Sequence, residues 1–422
     1  MKILFLAPQP FFQERGTPIA VKLALEALSA RLPELTGRPP EIDLLAYDEG
    51  DEVAIPGVKI HRIPTPQFLK GIRPGISCKK LVLDLIFLVV ALKFLWVNRR
   101  NQYDVVHAVE ESVFIAWLAK FLFKTPYVYD MDSSLAMQLT EKWWWFTPLS
   151  KCFSALERLV VRGASAVAPV CDALEALALQ HGAAHTVMLR DVSLLPNAAE
   201  GTNSSHNGAN RSSSALREEL SIATETPVII YVGNLESYQG IDLLLESFRL
   251  ACSHPSTPML VIVGGDKHSI SHYQQRCVEL GCASQVRFLG PRPVSTLKQL
   301  LSSSDIVVSP RVKGNNTPMK VYSYLHSGRA LLATKLPTHT QVLDSSVSVL
   351  ADANPQSFAE GMLLLLSDPG LRSEIGRSAF NRAEKLYTIP AFEAQLLSLY
   401  GRLGSHVLKI SPPNALALNE GT

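Results

Sequence analysis

Short apolar runs alternate with amphipathic stretches along most of the chain, and this rhythm limits the possible folds more than any other feature. In the first half the apolar runs read KILFLAP, EIDLLAY, DVVHAV, PYVYDMD, AVAPV and VMLR. Helical patterns lie between several of them, as at 19–32 and 154–163. Short runs that are apolar throughout are typical of parallel strands covered by helices on both faces. The sequence therefore predicts an α/β fold of doubly wound, Rossmann-like parallel sheets.

The alternation stops near Asn197 and restarts with PVIIYVG, MLVIVGG, QVRFLG, DIVVSP and ALLAT. Between the two halves, EGTNSSHNGANRSSS has the Ser, Asn and Gly content of a flexible insertion. A chain of 422 residues is also long for a single core. We expect the following parts: a first Rossmann-like domain at 1–197, an insertion or linker at 198–217, a second Rossmann-like domain at 218–388, a C-terminal helix at 389–408 that returns to the first domain, and a loose tail at 409–422.

Charge and cysteine content exclude some classes of protein. A formal net charge of +2 argues against a nucleic-acid partner. The six cysteines show no spacing typical of a metal site, so we expect free thiols in a cytoplasmic protein and no bound metal. The opening run MKILFLAPQP is interpreted as the first buried strand rather than a secretory leader.

One apolar run, LVLDLIFLVVALKFLWV at 81–97, is unusual for such a fold. Asp84 and Lys93 interrupt it, which favours a helix packed on the sheet over a membrane span. The alternative is a helix lying on an anionic membrane through 59–100, because basic residues dominate that segment. The three tryptophans of KWWWF at 142–146 fit either a core or a membrane interface. The basic residues are Lys59, Arg62, Lys70, Arg73, Lys79, Lys80, Lys93, Arg99 and Arg100.

Three loops have features of an anion site. Gly16 and Thr17 open a helix in the first half, while in the second half Gly233 ends a strand and Gly240 opens the next helix. Glycines permit close backbone approach, and helix starts favour phosphate. The third loop, RVKGNNTPMK, leads into a short helix and supplies Arg311, Lys313, Asn316, Thr317 and Lys320. The backbone N–H groups and basic side chains of this loop predict phosphate binding.

The second half resembles the nucleotide-sugar-binding domain of the family-four retaining glycosyltransferases, which have the GT-B fold. The resemblance is carried by YVGNLESYQGIDLLLESF, LVIVGGD, VRFLGPRP, DIVVSP, TPMKVYSYLHSGRALLAT and the late LYGRL. The first half matches more loosely, through FLAPQPFFQERGTPIA, YDVVHAVEES and PYVYDMDSS. The resemblance implies two Rossmann-like domains facing a central cleft, with the acceptor bound by the first and the donor by the second.

The resemblance also implies a nucleoside-diphosphate sugar as donor substrate, with no further cofactor. Where the family has a diphosphate-clamping Arg and Lys, this chain has Asn234 and Gln239. Where the family has a pair of glutamates, the second of which holds the ribose, it has Asn315 and Ser323. The expected donor-binding residues are Gly16, Thr17, Gly233, Asn234, Gln239, Arg311, Lys313, Asn316, Thr317, Lys320 and Ser323.

The acceptor, a glycan or lipid-linked hydroxyl, is expected at polar residues that follow strands of the first domain. His107 is expected at one strand end, and Asp130 and Asp132 at the next. Carboxylates and imidazoles at such positions suit hydroxyl binding and proton transfer. These three residues are the predicted catalytic set.

Three functions remain open at this stage. The first is a retaining glycosyltransferase, cytoplasmic or peripheral at the inner face of a membrane, in which the leaving diphosphate takes the acceptor proton. The second is an impaired relative that binds a glycan or partner as a scaffold, which the four neutral replacements would favour. The third is another GT-B enzyme, such as a sugar-nucleotide epimerase or a phosphorylase.

Overall fold

The computed structural model describes residues 1–11, 16–50, 52–71, 77–100, 102–134, 136, 150–196 and 216–407. The chain divides into two compact units. Unit 1 comprises Met1–Arg190 together with Phe392–Thr422, and unit 2 comprises Asp191–Ala391. The division falls inside the last helix, so most of that helix belongs with the N-terminal unit.

Unit 1 contains a six-stranded sheet in the order β3-β2-β1-β4-β5-β6, with every pairing parallel. Its strands are β1 (Lys2–Ala7), β2 (Glu41–Tyr47), β3 (Val58–Ile63), β4 (Val105–Val109), β5 (Tyr127–Met131) and β6 (Ala166–Pro169). Its helices are α1 (Gly16–Thr36), α2 (Cys78–Val97), α3 (Val113–Phe123), α4 (Ser150–Gly163) and α5 (Asp172–Gln180).

Unit 2 repeats this design. Its strands are β7 (Val228–Val232), β8 (Met259–Val263), β9 (Val286–Gly290), β10 (Ile306–Ser309), β11 (Ala330–Thr334) and β12 (Val349–Ala351), in the parallel order β12-β11-β10-β7-β8-β9. Its helices are α6 (Ile241–Ala251), α7 (Lys267–Glu279), α8 (Leu297–Ser302), α9 (Met319–His326), α10 (Pro337–Thr340), α11 (Pro355–Ser367) and α12 (Pro369–Leu386), and α13 (Ile389–Val407) closes the described chain.

Burial explains why the central strands are apolar at every position. The side chains of β4 and of β10 are buried along the whole strand. In unit 2, β7 sends Ile229 and Tyr231 to one hydrophobic cluster and Val228 and Ile230 to another. Both faces of the sheet are therefore covered, and a polar residue would be costly on either face.

Most of the expected strands are confirmed, with two errors at the edges of the first sheet and one unpredicted edge strand, β12, in the second. β3 was not predicted, because its sequence VKIHRI is half polar. VMLR is not a strand: Val187 and Leu189 donate to the carbonyls of Val167 and Pro169, but the structure assigns only an isolated bridge at Thr186. The predicted 200–214 insertion, the KWWWF segment and the predicted tail at 409–422 lie outside the described residues.

The apolar run at 81–97 forms most of α2, which packs on the sheet as the sequence favoured. Leu83, Phe87, Ala91 and Leu95 recur every fourth residue and are fully or almost fully buried. Ser77 caps the helix by accepting the N–H of Lys80 at 3.1 Å. Among the helices that the structure describes, none has the length and apolar character needed to span a bilayer.

Candidate functional site

Both sheets reverse their strand order beside their first strand, which places the loops after β1 and β4 together and the loops after β7 and β10 together. In doubly wound sheets, ligands bind outside the carboxyl ends of the strands at such a reversal. In unit 2 these loops hold Gly233 to Gly240 and Pro310 to Pro318. The predicted donor residues of the second half therefore lie at one edge of the sheet or in the helix that follows it.

Lys320 is the central cation of this edge. It lies in the first turn of α9, and its ammonium stands 3.9 Å from the ring centre of Tyr231 and donates to Gln239 Oε1 at 2.9 Å. No carboxylate lies within ion-pair distance of it among the described residues. Burial and the nearby Arg311 guanidinium hold the Lys320 pKa well below its usual value. A bound anion would relieve both effects.

Thr317 adds a second polar group without a partner. Its side chain is only 3% exposed, and its hydroxyl has no hydrogen-bond partner in the described part of the chain. Buried hydroxyls are rarely left unpaired, because the loss of water costs about 1–3 kcal/mol. Thr317 lies just before the start of α9, where an anion is also favoured by the helix dipole. Thr317 and Lys320 together form an edge suited to a phosphate group.

Gly233 and Gly264 form a tight corner beside Lys320. Gly233 has φ +154°, and its carbonyl oxygen would lie 2.0 Å from a Cβ added at Gly264, which has φ +110°. A Cβ on Gly233 itself would lie 3.1 Å from the Lys320 ammonium. Because Gly233 has no side chain, the space beside the Lys320 ammonium stays open.

Arg311 has a different place from the one expected of a phosphate-binding cation. It is only 8% exposed, and its guanidinium donates to the carbonyl of Lys313 at 2.6 Å and to Asn316 Oδ1 at 3.2 Å. It also lies over the ring of Tyr238. These contacts shape the loop after β10 while keeping a positive charge near Lys320. Lys313 is exposed on the same loop.

Neutral residues stand where the family has charged ones, and several of them already form hydrogen bonds within the protein. Asn234 is exposed, and its Oδ1 accepts the N–H of Glu236 at 3.2 Å. Gln239 is buried and holds Lys320. Ser323 is 1% exposed, and its hydroxyl accepts the Leu194 N–H at 3.0 Å. This placement favours a structural role for Ser323 over contact with a ribose.

A buried histidine joins β10 and β11 beneath this loop. His339 Nδ1 lies 2.9 Å from the Thr334 carbonyl, and its Nε2 lies 2.8 Å from the Ser309 hydroxyl. The Thr334 hydroxyl in turn donates to the Arg311 carbonyl at 2.6 Å. Burial, together with the charges of Lys320 and Arg311, lowers the His339 pKa to about 3, against a smaller opposing effect of the Thr334 carbonyl.

Because of this buried histidine, we expect the stability of unit 2 to fall at acid pH. The imidazole pKa is about 3 folded and about 6.5 unfolded, so between these values the unfolded chain binds more protons. The contribution of His339 to the free energy of unfolding should be fully present above pH 6.5. Below that pH it should fall by about 1.4 kcal/mol per pH unit, down to the folded pKa. We expect His339→Gln to be less stable at pH 8 and to have a flatter profile from pH 6.5 to 4. Hydrogen exchange of peptides covering 330–345 measures this, and equal slopes in the two proteins would contradict it.

In unit 1, His107 lies in the middle of β4 rather than at its end, and it meets the partly buried Asp130 of β5. The His107 ring is fully buried and stacks on Phe5 at 4.2 Å between ring centres, with Nε2 at 3.3 Å from Asp130 Oδ2. Its Nδ1 lies 3.0 Å from the hydroxyl of Tyr400 in α13. Burial and the charge of Asp130 raise the Tyr400 pKa, so its hydroxyl keeps its proton and can donate to Nδ1. In the tautomer that accepts this hydrogen bond, Nε2 donates to Asp130, and His107 orients that carboxylate.

The other predicted residues of unit 1 lie at the same edge of the sheet. Asp132 is partly exposed just after β5, and Asp130 is the fourth residue of that strand. Gly16 and Thr17 begin α1 as expected, and a Cβ at Gly16 would meet nothing within 4 Å. The described residues contain no group of three or more His, Cys, Asp or Glu side chains arranged to hold a metal ion.

Sequence reasoning missed two aromatic residues that shape these sites. Tyr231 supplies the ring under Lys320, and its hydroxyl donates to the Asn234 carbonyl at 2.6 Å. Tyr400 reaches His107 across 293 positions of sequence. The quoted motifs YVGNLES and LYGRL contain both residues, but neither motif indicated which distant side chain the tyrosine would meet.

Comparison with known proteins places both halves in one family. Residues 25–197 match the model of the glycosyl transferase 4-like domain, and residues 212–382 match that of glycosyl transferases group 1. The D-inositol 3-phosphate glycosyltransferase of Corynebacterium glutamicum is 25% identical over 336 residues, covering 77% of this chain and 78% of the relative. The enzyme of the same name from Corynebacterium diphtheriae is 29% identical over 203 residues, covering 46% of this chain and 47% of the relative.

Solved structures share the fold across both units. Sucrose-phosphate synthase from Thermosynechococcus elongatus superposes with a TM-score of 0.74 at 17% identity, covering 96% of this chain and 99% of that one. Anabaena HepE in complex with UDP-glucose gives a TM-score of 0.70 at 16% identity, covering 95% and 100%. At these identities the likeness concerns the fold alone. The family matches and the two parallel sheets agree, and the chain belongs to the family-four glycosyltransferases of the GT-B fold.

Proposed function

We propose that the protein is a retaining glycosyltransferase that moves a sugar from a nucleoside diphosphate to a hydroxyl of a glycan or lipid-linked acceptor. Its working place is proposed to be the cytoplasmic face of a membrane. The observation that carries the donor half is Lys320, a partly buried ammonium without a carboxylate partner among the described residues, three positions after the unpaired hydroxyl of Thr317. A diphosphate would supply the missing acceptor atoms to both.

The two remaining polar residues of this edge fit the same ligand. Gln239 and Asn234 carry side-chain amides, which donate to phosphate oxygens without adding charge. A charge-assisted hydrogen bond is roughly twice as strong as a neutral one, so Lys320 should dominate donor affinity. The nearby charge of Arg311 strengthens the positive potential without direct contact.

The proposed reaction replaces one bond to the anomeric carbon with another on the same face of the sugar. The bond from this carbon to the diphosphate oxygen breaks as the acceptor oxygen forms its own bond there. The acceptor proton passes to the departing diphosphate, so no strong protein base is needed. The protein positions both substrates and stabilises the charge on the leaving group, mainly through Lys320.

Product stereochemistry tests the proposed reaction. The purified protein is incubated with sugar acceptors and a set of nucleoside-diphosphate sugars, beginning with UDP-glucose because HepE holds that compound. Proton NMR of the product should show the donor's anomeric configuration retained. An inverted product would contradict the retaining mechanism, and donor hydrolysis without transfer to any sugar would contradict the acceptor half.

The membrane location is supported by the outer face of α2. Val82, Leu85, Val89 and Trp96 are between 48% and 62% exposed and recur at helical spacing. Lys93 continues the same stripe. Exposed apolar side chains interleaved with basic ones suit the surface of an anionic bilayer, where the apolar groups enter the headgroup region. Phe121 and Leu122 of α3, with Arg99 and Arg100 after α2, are also exposed.

Introducing negative charge on this face should weaken membrane binding. We expect Val89→Glu combined with Lys93→Glu to lower binding to phosphatidylglycerol vesicles at least tenfold, through lost apolar burial and reversed charge. Co-sedimentation measures the bound fraction. Val278→Glu is the matched control, because Val278 is 70% exposed on α7 in unit 2. Binding that is equal in all three proteins would show that α2 does not dock on lipid.

The scaffold function is the second candidate, since Asn234, Gln239, Asn315 and Ser323 replace four charged family positions. It predicts that no nucleotide binds at the carboxyl edge of the second sheet. Lys320, which has no carboxylate partner among the described residues, and the unpaired Thr317 hydroxyl favour a binding site there instead. Nucleotide binding to the purified protein separates the two functions.

A further inference from the structure

The edge of the first sheet indicates the kind of acceptor that the protein takes. β1 and β4 are neighbours, with Leu6 opposite Ala108, so the loops that follow them meet at the reversal of strand order. The Ser112 hydroxyl ties the segment after β4 to the end of β1 by donating to the Leu6 carbonyl at 2.9 Å. This crevice is the position where doubly wound sheets bind ligands.

Gln9, in the loop after β1, carries a polar group without a partner at this position. Gln9 is only 7% exposed, and its amide nitrogen Nε2 has no hydrogen-bond partner in the described part of the chain. The backbone carbonyl of Gln9 accepts the Tyr47 N–H at 3.3 Å, which fixes the loop against β2. A buried amide donor without an acceptor is unusual, and a bound ligand oxygen would satisfy it.

Carboxylates surround this crevice from several elements. Glu110, directly after β4, has a left-handed backbone with φ +50°, a conformation that costs energy in residues other than glycine. Burial raises the pKa of its carboxyl, as do Asp130 and Asp84, against the opposing effect of Lys80. Glu49, in the loop after β2, is 6% exposed.

Three cations of this region, Lys80, Arg62 and Lys70, are already paired with carboxylates. Lys80 contacts Glu111 and lies 3.3 Å from Asp84. On the far side of β2, Arg62 lies 3.0 Å from Asp48, which is also 4.0 Å from Lys70. A phosphate in this crevice would therefore meet carboxylates, while Lys80, Arg62 and Lys70 already have carboxylate partners.

We infer that the acceptor enters this crevice as an uncharged polyhydroxyl group, whose oxygen accepts from Gln9 and whose hydroxyls donate to Glu110, and that phosphate-bearing acceptors are rejected there. This rests on the proposed transferase function and sets the chain apart from the relatives named for D-inositol 3-phosphate. Sugar hydroxyls both donate and accept hydrogen bonds, so they match an amide beside a carboxylate. A phosphate has only acceptor oxygens to offer to Glu110.

Paired acceptors test the inference on the wild-type protein, after the donor has been identified by binding. Each pair differs only by a phosphate: myo-inositol with D-inositol 3-phosphate, and methyl glycosides of glucose, galactose and mannose with their 6-phosphates. We expect transfer to neutral members at least tenfold faster than to their phosphates. Faster transfer to phosphates, or no transfer to any neutral member, overturns the inference. Absence of donor binding instead counts against the proposed function.

Gln9→Leu tests the contact itself. Because the amide is unpaired, Leu should leave the melting temperature unchanged or higher, while the acceptor KM rises about tenfold and the donor Kd changes less than twofold. Gln274→Leu is the control on the exposed surface of α7 and should change none of these quantities. An unchanged acceptor KM in Gln9→Leu, or a lower melting temperature with weakened donor binding, would assign Gln9 to structure only.

Discussion

Lys320→Ala should weaken donor binding by one to two orders of magnitude without destabilising the free protein. The Lys320 amine has no carboxylate partner among the described residues, and burial holds its pKa well below the usual value, with only Gln239 Oε1 and the Tyr231 ring to offset that cost. Removing it relieves that cost in the free protein. In the complex the same change deletes a charge-assisted hydrogen bond worth about 1.5–3 kcal/mol.

Two further variants separate charge from packing in this experiment. Lys320→Met keeps an unbranched side chain over Tyr231 but carries no charge, and it should bind donor as weakly as Lys320→Ala. Lys298→Ala removes an exposed lysine of α8 in the same unit and should bind normally. Calorimetric titration gives the Kd, and thermal unfolding gives the stability. Donor affinity that is normal in Lys320→Met would place the diphosphate elsewhere.

Gly264→Ala should lower the free energy of unfolding by about 3–5 kcal/mol and abolish detectable donor binding. The added Cβ would lie 2.0 Å from the Gly233 carbonyl oxygen, and backbone cannot move aside as a flexible side chain can. The φ of +110° adds strain for any residue with a side chain. Relief requires the Gly233 corner to shift, and this corner borders the Lys320 ammonium.

Gly281→Ala is the matched control for this substitution. Gly281 also has a positive φ, +71°, but a Cβ there would meet no atom within 4 Å. It should cost only about 1–2 kcal/mol, the price of the left-handed conformation alone. Denaturant unfolding of the two variants isolates the effect of the collision. Similar losses in both would show that the Gly233 corner can relax.

The sequence predicted the sheets well because buried parallel strands leave a strong apolar signal. All five strand-like runs of the second half became strands, from β7 to β11. β3 was missed because it is an edge strand whose residues Lys59, His61 and Arg62 break the apolar run. VMLR was wrongly predicted, since an apolar run beside an edge strand can pair through isolated hydrogen bonds without forming a ladder.

The sites were less predictable, because a sequence shows which charged side chains are present but not which groups they bond to in the fold. Arg311 in the loop and Lys320 in the helix were both predicted to bind the donor, yet Arg311 holds its own loop together whereas Lys320 has no carboxylate beside it among the described residues. Ser323 occupies a predicted binding position, but its hydroxyl holds the Leu194 N–H. No sequence pattern indicated Gln9, because a buried amide without a hydrogen-bond partner can be recognised only in the folded structure.

A nucleotide panel tests the central claim, that the carboxyl edge of the second sheet binds a nucleoside-diphosphate sugar through Lys320. The melting temperature of the wild-type protein is measured with each nucleotide and nucleotide sugar, with Lys320→Ala beside it. A ligand at a hundred times its Kd stabilises the folded state by about 2.7 kcal/mol, enough for a clear shift. We predict a rise for one nucleotide that is lost in Lys320→Ala. No rise with any nucleotide, or an equal rise in the variant, would contradict the claim.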